Sequence, residues 1–254
     1  MSSHNRLKLS DRRDVERKTL HTLSLLNMKN LSPVIMGEGF VNPFELYTTQ
    51  THIEADKLGL VLQKTLFESY DVPIIVVIGK NAYKYIIDGH HRALVSLWMR
   101  KHVRAVLINA AGYQPVFSTP LYKIKFVNPV DTPESLLTWR HMVNTIHFLE
   151  ELHGRIARVW FENVRLDVLK PTQMLLGGSL NKEVKIEEPI LVYRINHSYY
   201  VLDGHKRVCL SLLNKHKIIP SVVFTLDDLE IGIVRQAQII RESFSEESCK
   251  KIFG

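Results

Sequence analysis

Apolar positions along the chain fall into strand-length runs and helical stripes whose order repeats. Pro73-Ile74-Ile75-Val76-Val77-Ile78 is a continuous apolar run of buried-strand type, followed by a Gly79-Lys80-Asn81 turn and a second strand, Tyr83 to Ile87. A helix-like pattern from Ala93 to Trp98 and a strand from Val103 to Ile108 complete the unit, and upstream Ile53 to Phe67 reads as an amphipathic helix with Leu58, Leu60, Leu62 and Leu66 among its apolar positions. The series returns as Pro189-Ile190-Leu191-Val192, Tyr199-Tyr200-Val201-Leu202, a helix from Val208 to Leu213, and the strand Val222-Val223-Phe224. The stretch from Gln173 to Pro189 is shorter than that from Gln50 to Pro73 by about two helical turns, so the second copy should have a shortened helix, with Gly177-Gly178 where the first has leucines.

Between the copies, Thr132-Pro133-Glu134 is a helix start, with a capping hydroxyl, Pro in the first turn and an acid at the positive end. Leu136, Trp139, Val143, Ile146, Leu149 and Leu152 then recur at three- and four-residue spacing up to Gly154, and this Thr132–His153 helix is expected to pack the halves together. Asp11 to Leu26 is compatible with a helix whose apolar edge is Leu20, Leu23, Leu25 and Leu26, and Val41 to Leu46 with a short strand or turn. Asp227 to Gln238 looks helical, and the charged end from Glu242 is expected to fray. The organisation expected is a basic arm (1–37), a first module (38–110), a connector with its helix (111–155), a second module (156–226) and a C-terminal helix and tail (227–254).

Each copy contains the same turn, Asp88-Gly89-His90-His91-Arg92 in the first and Asp203-Gly204-His205-Lys206-Arg207 in the second, between the end of a strand and the start of a helix. Such a turn leaves unpaired backbone N–H groups at the positive end of a helix dipole, where a phosphate or carboxylate sits well. Arg92 and Arg207 suit phosphate through a planar fork of donors, or would pair with a neighbouring acid. His90 and His205 read as phosphate donors or proton carriers. Asp88 and Asp203 could orient a substrate hydroxyl or coordinate magnesium, or simply cap the helix. The exchange of His91 for Lys206 keeps the capacity for positive charge and loses the imidazole, which favours an electrostatic role. Gln50 and Gln173 occupy matching places and would contact a base or ribose, or make a turn hydrogen bond.

A net charge of +7 and 45% apolar residues describe a folded, basic chain suited to an anionic partner. Seven of its Lys and Arg lie in residues 1–30, which makes that stretch a candidate nucleic-acid arm or a solvated helix docked by its leucines. That stretch lacks the apolar core of a secretory signal and no apolar run could span a bilayer, so a cytoplasmic protein without membrane contact is expected. With Cys209 and Cys249 alone, neither a disulfide framework nor a cysteine-based zinc site is expected, and Cys209 reads as a buried core thiol. His141, His147 and His153 lack the spacing of a helical zinc pair, and no metal site is assigned.

Thr-Gln, helix, Pro-Ile-x-Val, strand and Asp-Gly-His-x-Arg in that order resemble the ParB/sulfiredoxin superfamily, over Val41–Ile108 and again over Arg165–Phe224. The resemblance implies an α/β fold of two tandem modules, each a small mixed sheet with helices, joined by a helix. The match is nearest to the branch that includes free serine kinases, in which the motif residues would hold the phosphates of ATP or ADP, with CTP as a further nucleotide and magnesium alongside. It implies a phosphotransferase acting on a small hydroxylated substrate such as free serine, with Asp88, His90 and Glu54 as catalytic candidates; Glu54 stands in because Gln50 occupies the place of the expected base. Sulfiredoxins are similar but carry a reactive Cys where this chain has His90 and His205, which removes sulfinic-acid reduction. The alternative is a non-catalytic ParB-like protein that binds DNA through the basic arm, in chromosome or plasmid partition or in regulation; a nuclease is a third reading.

Overall fold

The computed structural model describes residues 9–129, 131–173, 184–241 and 243–253. The chain is α/β and divides into two compact units, Met1–Thr145 and Ile146–Gly254.

The first unit contains, in order, α1 (Arg12–Met28), β1 (Val34–Val41), β2 (Leu46–Thr48), β3 (His52–Glu54), α2 (Ala55–Phe67), β4 (Ile74–Ile78), β5 (Lys84–Asp88), α3 (His90–Trp98), β6 (Val103–Asn109), β7 (Thr119–Pro120) and β8 (Lys125–Val127). Its main sheet runs β1-β6-β4-β5-β2-β7, and β3 pairs separately with β8. The apolar run read as a buried strand is β4, where Ile74, Ile75, Val76 and Val77 are all buried. It lies parallel to β6 and antiparallel to β5. Burial on both faces is why this segment does not alternate apolar with polar residues.

Residues 12–28, within the stretch read as a basic arm, form the helix α1, which packs on the sheet. Asp11 and Asp14 form a capping box that starts α1, and Val15 and Leu26 join a core cluster with Ile75, Val77 and Ile108. The buried edge is Val15, Thr19, Thr22 and Leu26, whereas Leu20 is 67% exposed and Leu25 46%. The two threonines can be buried because their hydroxyls donate to the carbonyls of Val15 and Lys18 one turn back. Strand β1 was hidden in the sequence because Gly37 and Gly39 interrupt its apolar run, and Gly37 (φ +106°) sits at a register shift against β6.

Helix α4 (Glu134–His153) begins where expected and buries Leu136, Trp139, Met142, Val143, Ile146 and Leu149, but Leu152 is 61% exposed. The Thr132 hydroxyl turns to Asp56, a buried acid in the first turn of α2. Arg140 grips the same carboxylate with Nε at 2.5 Å and Nη2 at 3.0 Å, and Nη2 also donates to the Pro129 carbonyl at 2.8 Å. This buried pair between α2 and α4 had no sequence signal, since its partners lie 84 residues apart.

The second unit contains β9 (Arg158–Arg165), β10 (Leu169–Pro171), β11 (Ile190–Ile195), β12 (Ser198–Asp203), α5 (His205–Leu213), β13 (Ile218–Thr225), α6 (Gly232–Ile240) and α7 (Glu246–Phe253). Its sheet order, β9-β13-β11-β12-β10, matches β1-β6-β4-β5-β2 strand for strand and in the sense of every pairing. The register shift between Ile75 and Val76 recurs between Leu191 and Val192. The Gly177-Gly178 region, expected to hold a shortened helix, lies outside the described residues.

Two expectations about the second half are corrected. The charged end read as fraying contains the helix α7, joined to α5 by a disulfide between Cys209 and Cys249. Cys209 is therefore not a free core thiol, and a reducing compartment would disfavour the bond. No helix among the described residues is long and apolar enough to cross a membrane. Closing a loop across 40 residues of separation, the bond should stabilise the second unit by about 2–4 kcal/mol. Purified without reductant and then denatured, the chain should show no thiol titratable with Ellman's reagent, and Cys249→Ser should lower the urea midpoint; two titratable thiols would contradict the pairing.

Candidate anion-binding turn

The two Asp-Gly-His turns are built alike. Each strand ends on its Asp, the glycine follows with left-handed backbone (φ +94° at Gly89, +98° at Gly204), and the helix starts on the His. Glycine is required twice over. A left-handed residue tolerates a side chain poorly, and a Cβ at either place would fall 2.5 Å from Cγ2 of Ile74 or of Ile190. The N-cap of α3 and of α5 is the glycine itself, and neither helix has a side-chain cap among the described residues.

The motif side chains brace this turn. Asp88 Oδ2 receives Arg92 Nη2 at 2.7 Å, and Asp203 Oδ2 receives Arg207 Nη2 at 2.7 Å. The same arginines reach back to the chain just before the central strand: Arg92 Nη1 donates to the Val72 carbonyl at 3.3 Å, and Arg207 Nη1 to that of Pro189 at 2.9 Å. Arg92 and Arg207 are buried, and in each the fork ties helix to sheet. Of the alternatives open for the arginines, pairing with an acid is the one observed.

His90 and His205 are buried, and Nε2 of each accepts a backbone N–H, from Thr49 at 3.3 Å and from Thr172 at 3.2 Å. The threonine hydroxyls donate to the carbonyls of Ile86 and Val201, at 2.7 and 2.6 Å. Burial pushes both imidazoles down to about 4, against an opposing pull from Asp88 and Asp203, so they are neutral near pH 7. A neutral ring whose Nε2 already accepts a bond is a staple between the Thr-Gln segment and the motif helix. With Nε2 accepting, the neutral ring of His90 or His205 carries its one proton on Nδ1. In the repeated Thr-Gln pair it is the threonine, Thr49 or Thr172, that makes these contacts.

Differences between the copies appear around the turn. In the first, Lys18 of α1 reaches Asp88 Oδ1 at 2.5 Å and Ser10 Oγ at 3.3 Å. The Tyr70 hydroxyl donates to the Ser10 carbonyl at 2.7 Å. With Gln50, Lys57, Gly89, His91 and Arg92 these residues line a cavity of about 100 Å³ at the start of α3, room for a phosphate-sized anion and not for a nucleoside. Lys57, in the first turn of α2, has no ion-pair partner among the described residues. Burial pushes His91 down to about 3 against a hydrogen bond to the Glu54 backbone, and its Nε2 is buried without a partner among the described residues. His91 is thus neutral, not the positive group expected from its exchange with Lys206. Glu54 is the exposed residue from which α2 starts and is not part of the cavity wall. In the second copy Gln173 and Lys206 are exposed, and Arg207 also approaches Glu188 at 3.5 Å.

Both oxygens of Asp88 are engaged by cations, so it is not arranged as a metal ligand, and no group of three His, Cys, Asp or Glu gathers among the described residues. Lys18, Lys57 and Tyr70, all in the cavity wall, carry no motif of their own in the sequence. Nothing in the spacing of α1 marks Lys18 among its neighbouring cations; the contact across 70 residues makes it stand out.

Gly89→Ala and Gly204→Ala should each lower unfolding free energy by at least about 1 kcal/mol in urea titrations; wild-type stability would contradict the turn geometry. The histidine staples also set a pH dependence. Each folded-state pKa lies below the unfolded value of about 6.5, so their contribution is complete above that pH and is lost as pH falls towards about 4, where the folded form also protonates. Between pH 7 and 4 the wild type should therefore lose more stability than His90→Gln or His205→Gln, measured by denaturation at each pH. Equal losses would show that the rings do not titrate differently on folding.

No family model, curated protein or solved structure matches this chain.

Proposed function

We propose that the first unit is a ParB/sulfiredoxin-like nucleotide-binding module that holds the phosphates of ATP or ADP at the start of α3, and that it transfers a phosphoryl group to a small hydroxylated substrate such as free serine. One observation carries the reading: an uncapped helix N-terminus opens on a cavity whose wall includes Lys18, Lys57 and Arg92. Helix N–H groups and cations converging on a phosphate-sized space favour a multiply charged anion. The nucleoside would lie outside so small a cavity. Magnesium would arrive with the phosphates, because Asp88 is already held by Lys18 and Arg92.

In this reading the motif residues divide their work. Gly89 lets the turn form, Asp88 and Arg92 hold it, and His90 fixes the Thr-Gln segment beside it. The backbone N–H groups and Lys57 bind, and Glu54 is the base that takes the hydroxyl proton. A DNA-binding arm draws less support, since Arg12, Arg17 and Lys18 are engaged with Glu38, Asp14 and Asp88.

Calorimetric titration with ATP, ADP and CTP, each with magnesium, tests the binding. Wild type and Arg207→Ala should bind alike, and Lys57→Ala should lose about tenfold in affinity, the effect of roughly 1.4 kcal/mol. Glu54→Gln should keep binding and lose product formation from serine or related hydroxyl compounds. Absence of binding by the wild type would overturn the reading.

A further inference from the structure

The N-terminal helix lies outside the repeated strand–turn–helix series, yet it supplies part of the wall around the first turn. Lys18 places its ammonium on Asp88 Oδ1, at the residue immediately before the αL glycine of that turn. Its side chain is 41% exposed, so it is not locked in a core. Leu9 and Ser10, just ahead of the capping box, complete the same wall, and the Tyr70 hydroxyl fastens Ser10 to it. In chain order α4 precedes β9 as α1 precedes β1, but at the equivalent distance before the strand α4 carries Met142 and Val143, both fully buried and neither charged.

From this juxtaposition we infer that Lys18 is a phosphate ligand that exchanges the Asp88 carboxylate for the bound anion, and that α1 thereby becomes part of the closed site. The inference rests on the phosphate-binding reading of the first unit. The carboxylate now on Lys18 shows that an anionic oxygen at the mouth of the α3 N-terminus lies within reach of the ammonium. An incoming phosphate offers more charge than one carboxylate and leaves Arg92 to hold Asp88, so the exchange costs no cation its partner. The second turn, where Asp203 has Arg207 as its partner and no lysine among the described residues pairs with it, is then a structural copy of the first.

The experiment compares wild type, Lys18→Ala, Lys18→Arg and Arg17→Ala for binding of ADP and of inorganic phosphate by calorimetry at low and at physiological salt. Arg17 is on the same helix but pairs with Asp14 and is not part of the cavity wall. Lys18→Ala should weaken ADP and phosphate about tenfold and flatten the salt dependence, Lys18→Arg should restore most of the affinity, and Arg17→Ala should match wild type. Bound ADP should also slow tryptic cleavage after Arg12, Arg13 and Arg17 in the wild type but not in Lys18→Ala. If the wild type binds and Lys18→Ala binds equally well with the same salt dependence, the role of Lys18 is overturned while the site stands. If Arg17→Ala loses as much as Lys18→Ala, the effect belongs to the fold of α1 and the inference fails. No binding by the wild type overturns the nucleotide reading beneath it.

Discussion

The i,i+4 pair between the last strand residue and the third helix residue, Asp88 with Arg92 and Asp203 with Arg207, is the constraint on which each turn depends. A glycine in left-handed conformation could point the following helix in many directions. The carboxylate fixes one end of the guanidinium, and a main-chain carbonyl just ahead of the central strand fixes the other, so helix and sheet meet at one angle. Both arginines are buried, and removing either carboxylate would leave a buried charge without its main partner. The neutral histidine adds a third tie, to the Thr-Gln segment.

The same bracing explains how one motif can serve two ends. A turn held by its own side chains needs no ligand to fold, which leaves its helix N-terminus uncapped and available. Whether it becomes a site then depends on what surrounds it. Around Gly89 stand Lys18, Lys57 and Tyr70, and the wall closes into a cavity. Around Gly204 the ring of His205 meets Phe244, at 6.0 Å between centroids, and the segment containing Phe244 is held by the Cys209–Cys249 bond. The two copies share a scaffold and differ in the groups brought to it.

Much of the scaffold was legible because its signals are local. Continuous apolar runs gave β4 and β11, Asp-Gly turns gave the starts of α3 and α5, and the agreement of two copies gave the order of elements. What could not be read depends on distance along the chain. Strands β1 and β9 pair with partners far downstream, and Gly37, Gly39 and the charges at both ends of β9 disguise them. The Asp56–Arg140 pair, the disulfide and the contact of Lys18 with Asp88 each join segments that share no local pattern. The histidines show a further limit: the motif revealed that they recur, whereas only burial and the Thr49 and Thr172 N–H groups show them to be neutral ties.

A crystal structure of the chain grown with ADP and magnesium tests the central claim most directly. Phosphate density at the first turn of α3, between Lys18 and Lys57 and with Asp88 still held by Arg92, is the predicted result. Phosphates bound at the N-terminus of α5 instead, or well away from both turns, would contradict the account.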